Sequence, residues 1–149
     1  MVVKIFSTKI SSLFFHNYIN NFINSHLYII KNIMNKFEQI SIKPGFMKHN
    51  GGVLFRTISE IEYEFKTKID KNHLNNAGIT HGGYLSALID AGSGTAAHRA
   101  AGNMPCVTIS LDLKFIGVSK EDDEIIGTTK ILKKTNSFVF LFCELKCNN

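Results

Sequence analysis

The stretch "IEYEFKTKI" alternates without a break: Ile61, Tyr63, Phe65, Thr67 and Ile69 fall on one side, and Glu62, Glu64, Lys66 and Lys68 on the other. Period two with one wet face predicts a half-buried strand over Ile61–Ile69. A polar loop, "DKNHLNNAG", follows. From about Gly82 to Ala101 the period changes, with Leu85, Leu88, Ile89, Gly92 and Ala96 recurring at helical spacing. After Ile89 the side chains are mostly small (Ala91, Gly92, Ser93, Gly94, Thr95, Ala96, Ala97). A helix built this way can lie close against another surface, and that closeness offsets the roughly 1 kcal/mol each glycine costs in a helix. Gly102-Asn103 is its expected stop.

Three further strands are predicted. Val107, Ile109, Leu111, Leu113 and Phe115 alternate with Thr108, Ser110, Asp112 and Lys114. The acidic turn "KEDDE" leads into Ile125–Leu132, and "KKTNS" into Phe138–Leu145. Upstream, "KPGF" and "HNGG" mark turns around a short segment holding Phe46 and Met47. A strand, a long helix and then antiparallel strands joined by short turns describe an α+β domain, one helix covered by one antiparallel sheet.

Residues 1–33 differ in composition. They hold only Lys4, Lys9 and Lys31 as charges, and no acid occurs before Glu38. Three of the chain's formal +5 therefore sit there, leaving +2 for the rest. With Arg56 and Arg99 the only arginines and no basic patch interleaved with aromatics, nucleic-acid binding is not expected. The longest apolar run in this segment is Leu27–Ile30, too short to span a bilayer. Phe6, Ile10, Leu13, Phe14, Tyr18 and Phe22 lie at roughly helical spacing, which leaves a targeting or interfacial helix open. The preferred reading is an N-terminal extension over residues 1–33, with the functional domain over 34–149. Cys106, Cys143 and Cys147 are odd in number and lack C-x-x-C spacing, which favours a reducing, cytoplasmic setting. His73, His81 and His98 share no ligand spacing, so no metal site is expected.

The chemistry concentrates in "NNAGITHGGYLSALIDAGSG", Asn75–Gly94. A helix opening at His81-Gly82-Gly83 presents unpaired backbone N–H groups and the positive end of its dipole. Glycine lets a ligand approach that backbone closely. Such donors stabilise negative charge developing on a carbonyl oxygen. Asp90 stands alone among apolar neighbours, which reads as a buried carboxylate with a catalytic or substrate-facing role rather than an incidental one. Thr108, in the following strand, is either a positioning hydroxyl or an ordinary strand threonine.

The pattern Asn75-x-x-Gly78-x-x-His81-Gly82-Gly83-x6-Asp90, after a strand and opening a helix, resembles the active-site signature of hotdog-fold acyl-CoA thioesterases of the phenylacetate-pathway type. The resemblance covers roughly Gly52 to Leu145. It implies a hotdog fold, a long central helix wrapped by an antiparallel sheet, and hydrolysis of an acyl- or aryl-CoA to free acid and CoA. Under it Asp90 is the nucleophile or the general base for water. Gly82 N–H polarises the thioester carbonyl, and His81 and Asn75 orient it; Asn76 competes with Asn75 for the register. Thr108 helps position water, and Gly83 and Gly78 belong to the substrate-binding turn. Tyr84 and Phe115 would line an apolar pocket, and Lys133 and Lys134 would lie near the CoA phosphates. No metal or redox cofactor is implied. The implied partners are the acyl-CoA and further copies of the chain, in a homodimer or homotetramer with sites at the subunit interface. The rival readings are a non-catalytic acyl-CoA-binding hotdog protein and a hotdog hydratase or dehydratase. One departure stands out. Relatives continue past Phe138–Leu145 into one more strand, which in this topology lies between Phe138–Leu145 and Val107–Phe115. The expectation is a sheet with that strand missing, marginally stable and aggregation-prone unless it borrows a strand from its own tail or a neighbouring subunit.

Overall fold

The structure is a computed structural model and describes residues 36–148. The expectations for residues 1–33, including the helical spacing of Phe6 to Phe22 and the start at Met34, lie outside the described residues. In chain order the elements are β1 (Glu38–Ile40), α1 (Phe46–His49), β2 (Val53–Thr57), β3 (Glu62–Lys68), a 3-10 turn (Lys71–His73), α2 (Gly82–Ala100), β4 (Glu124–Lys134) and β5 (Val139–Asn148). The five strands form one antiparallel sheet in sequence order. No helix among the described residues is long and apolar enough to cross a membrane.

β3 realises its alternation. Tyr63, Phe65 and Thr67 are buried while Glu62, Glu64 and Lys66 face the other way. On that outer face Arg56, directly opposite Glu64 in the register, donates to its carboxylate, Nε to Oε2 at 2.7 Å. Lys66 reaches Glu124 of β4 at 2.7 Å. Opposite charges facing each other across strands stabilise the pairing modestly.

The inner face carries the core. Val53, Phe55, Tyr63, Phe65, Ile125 and Ile131 pack with Tyr84, Leu88 and Ala96 of α2. Phe65 decides how close helix and sheet come. Its ring lies across Gly127, its direct cross-strand partner, and against Gly92 of α2. A Cβ at either glycine would collide with that ring. At the next helix residue, Ser93 Oγ meets Thr129 Oγ1 at 3.2 Å, which satisfies both buried hydroxyls. The helix stops where its sequence changes: Gly102 and Asn103 take left-handed φ of 72° and 64°, and Lys134 Nζ donates to Ala100 O at 3.0 Å.

One strand expectation fails. Val107–Phe115 is not a strand. Residues 104–120 carry neither helix nor strand, and among the described residues no ladder partner lies beside them. The alternation is present, but a strand also needs a neighbouring backbone, and the sheet ends at β5, whose outer edge is unpaired among the described residues. The segment instead runs back along α2, held by His98 Nδ1 to Met104 O (2.8 Å), Thr108 to Asp90, and Thr80 to Ser119. Val107, Ile109 and Ile116 are exposed in consequence. In the other direction, β1 and β2 were not foreseen. β2 is only five residues long, and β1 three, with two polar side chains.

The Phe65 contact separates two glycines of one helix. Gly92→Ala should lose stability, because the roughly 1–3 kcal/mol of overpacking exceeds the gain of up to about 1 kcal/mol in helix propensity. Gly94→Ala, with nothing within 4 Å of its added methyl, should gain up to about 1 kcal/mol. Urea melts of the two variants check this, and a Gly92→Ala midpoint at or above that of Gly94→Ala would refute the contact.

Candidate active site

The site is assembled by the loop between β3 and α2. Asp70 opens it, accepting the Asn72 N–H at 2.7 Å and capping the 3-10 turn. Leu74 and Thr80 form an isolated antiparallel bridge, inside which Asn75–Ile79 closes tightly. Asn75 N–H donates to Ile79 O at 2.8 Å, and Gly78 N–H to Asn75 O at 3.0 Å. Asn75 Oδ1 accepts from Ala77 N–H at 2.9 Å and Ile79 N–H at 3.4 Å. Gly78 sits at φ 74°, a left-handed value that favours glycine. In this structure Asn75 Oδ1 and Gly78 therefore serve the loop's own shape. An open depression of about 490 Å³, lined by Leu74, Asn75, Asn76, Ala77 and His81, lies over it.

His81 is the N-cap of α2. Its Nδ1 accepts the Gly83 N–H at 2.8 Å, which places the proton of the neutral ring on Nε2. A Cβ at Gly83 would come within 2.9 Å of that Nδ1, so the cap needs glycine there. Tyr84 N–H and Leu85 N–H both turn back to His81 O. The first amide of the helix, Gly82 N–H, has no acceptor among the described residues, and the Phe115 ring lies 3.5 Å from the position of a Cβ on Gly82. One unengaged donor thus stands at the positive end of a 19-residue helix.

Asp90 corrects the sequence reading. It is exposed rather than buried. Leu88 and Gly92, two residues to either side, face the sheet. At 3.6 residues per turn each is rotated about 160° from Asp90, so Asp90 must point away from the core. Thr108 Oγ1 donates to Asp90 Oδ1 at 2.5 Å. Asp90 and Thr108 are brought together, and His81, Gly82, Gly83 and Phe115 are brought together. The two groups are separate, since the eight residues from Gly82 to Asp90 span about 12 Å of helix.

Tyr84 is not a pocket residue. It is buried, its ring stacked on His73 with centroids 3.8 Å apart, and its hydroxyl lies 3.2 Å from Thr67 Oγ1. Burial raises the Tyr84 pKa above the ordinary tyrosine value. Among the described residues no group of His, Cys, Asp and Glu could hold a metal ion. Sequence reasoning missed His73. The only trace it leaves in the sequence is its place three residues after a capping Asp70.

Residues 77–149 match the family model of the thioesterase superfamily. The described domain has the hotdog fold, and just under half of the chain carries the superfamily match. A Pseudomonas aeruginosa protein carrying an esterase name is 37% identical over 79 residues, 52% of this chain and 59% of that one. Acyl-coenzyme A thioesterase 13 of Mus musculus is 28% identical over 78 residues, 52% of this chain and 56% of that one. The chain thus spans less than two thirds of the length of these relatives. The crystal structure of zebra fish thioesterase superfamily member 2 superposes with a TM-score of 0.65 at 22% identity, covering 81% of this chain and 86% of that one. At that identity the likeness speaks for the fold alone.

The cap predicts a stability signature. His81→Ala should cost the hotdog domain about 0.5–2 kcal/mol, whereas His81→Asn, a good capping residue, should stay close to the parent. Chemical denaturation of the three proteins measures this. Equal midpoints for His81→Ala and the parent would mean that the Gly83 bond carries no weight.

Proposed function

We propose that the domain hydrolyses an acyl- or aryl-CoA thioester to the free acid and CoA. The observation that carries this is the presence on α2 of both an unengaged Gly82 N–H at its start and a solvent-reachable carboxylate, Asp90, which Thr108 of the following segment holds. The amide N–H donates to the thioester oxygen as negative charge develops there; losing one such donor costs about 10²–10³ in rate in other enzymes. Asp90 supplies the attack, either by adding directly to the carbonyl carbon, to form an anhydride that water then cleaves to the free acid, or by taking a proton from water that adds there. The thiolate of CoA leaves in both routes. The acyl-coenzyme A thioesterase name of the mouse relative supports the substrate class.

The separation of about 12 Å between Gly82 and Asp90 is too long for one thioester carbon to meet both. This supports a site shared by two chains, the donor turn of one facing Asp90 and Thr108 of the other. His81 fixes the donor turn through its cap, and the loop of Asn75 flanks it.

Asp90→Asn keeps the shape and removes the basicity. Release of free CoA thiol from a panel of acyl- and aryl-CoAs should fall by at least about 10²-fold. Thermal stability should hold, because Asp90 is exposed. Near-parental hydrolysis would remove Asp90 from the reaction. Mixing refolded Asp90→Asn and Asn75→Ala chains tests the sharing. Each mixed dimer regains one intact site, so activity should recover to roughly a quarter of the parent for random pairing in a two-fold dimer. No recovery would place each site within one chain.

A further inference from the structure

His73 is 2% exposed and cannot touch a substrate. Its polar atoms nevertheless tie it to the loop that carries the donor turn and to the turn before β2. Its Nδ1 lies 3.0 Å from Asp70 N, and since a backbone amide can only donate, Nδ1 is the acceptor. The proton is therefore on Nε2, which lies 3.2 Å from the Asn50 carbonyl in the turn before β2. The His73 carbonyl accepts the His81 N–H at 2.7 Å. The ring lies flat on Tyr84, 3.8 Å between centroids and 8° from parallel. Tyr84 is the third residue of α2, its N–H donates to His81 O at 2.9 Å, and its hydroxyl meets Thr67 of β3 at 3.2 Å. His73, through its ring and its carbonyl, thus joins the turn before β2, the loop after β3, the residue preceding Gly82 and the first turn of α2.

We infer that His73 is a positioning residue for thioester hydrolysis: its ring and carbonyl set where His81 and the Gly82 N–H stand. This rests on the function proposed above. A filler of the core would need only the ring's volume. His73 supplies one acceptor, one donor and a flat face, each in a fixed direction, and only the neutral Nε2–H tautomer satisfies both polar contacts. The hotdog sheet and the far end of α2 do not depend on it, since they are held by Phe65, Leu88 and Ala96.

His73→Phe keeps a flat ring against Tyr84 and deletes both ring hydrogen bonds. The turnover number should fall by at least about tenfold, in line with the cost of moving a catalytic group by about 1 Å, while KM stays within about twofold. Hydrogen exchange read amide by amide gives a second readout that needs no activity. The amides of His81 and Gly83 should lose protection, and those from Leu88 to Ala97 should keep theirs. Ile131→Val, a destabilised core variant on β4 away from the site, should do neither. If His73→Phe does not fold, His73→Asn, whose Oδ1 can still take the Asp70 N–H, is read the same way. Unchanged turnover with unchanged exchange at His81 and Gly83 would overturn the inference, as would a uniform loss of protection along α2. If the parent hydrolyses no thioester, the proposed function fails, and the exchange pattern alone still decides whether His73 sets this turn.

Discussion

The domain depends on the slot that Gly92 and Gly127 leave for the ring of Phe65. Helix and sheet meet there, and a Cβ on either glycine would collide with the ring. Close-packed interiors leave little room for such an intrusion, and a misfit displaces whole elements rather than single atoms. The contact sets both the height of α2 above the sheet and its rotation. With Leu88, Gly92 and Ala96 turned inward, Asp90 must face outward. The orientation of the candidate catalytic carboxylate is thus a consequence of a packing contact on the opposite face of the same helix.

That coupling also explains what the sequence shows and what it hides. The long helix, three of the five strands and the His81-Gly82-Gly83 turn are legible because each is a local pattern: period two, period 3.6, or glycines after a capping residue. β1 and β2 carry too few residues for a period to register. Val107–Phe115 shows the opposite failure. Its alternation records which side chains share a side, whereas a strand is defined by a partner backbone, which no local pattern reports. Asp90 was misread because apolar neighbours in sequence were taken for apolar surroundings in space. Ile89 and Ala91 flank it along the chain, but helical rotation carries it about 160° from the core-facing Leu88. His73 stayed hidden because its partners, Asn50, Asp70, His81 and Tyr84, come together only in the fold.

The segment after α2 gives the site its second wall. Met104, Thr108, Phe115 and Ser119 meet His98, Asp90, Gly82 and Thr80 in that order, so the segment runs antiparallel to the helix along the face the sheet leaves free. Thr108 and Phe115 reach the site by this route, one onto the carboxylate and the other beside the unengaged amide. The tie at Ser119 is the firmest, since Thr80 N–H and Thr80 Oγ1 both donate to its carbonyl, at 2.8 and 3.1 Å, and its hydroxyl returns to Thr80 Oγ1 at 2.7 Å. The same Thr80 precedes His81, so the loop that holds the helix cap is clamped on one side by His73 and on the other by Ser119.

An amide donor stabilises developing charge best where water is excluded, because the effective dielectric there is far below that of bulk solvent. Among the described residues Asp90 and Thr108 stand in the open, Val107 and Ile109 expose apolar surface beside Thr108, and Phe115 does so beside Gly82. A second chain laid over this face, as proposed for the shared site, would cover the apolar side chains and dry the carboxylate in one step. The hydrophobic association that joins the chains would then also supply the low-dielectric setting that the Gly82 amide needs. Assembly and catalysis would draw on the same exposed segment, which accounts for a surface this apolar lying against the one exposed carboxylate of α2.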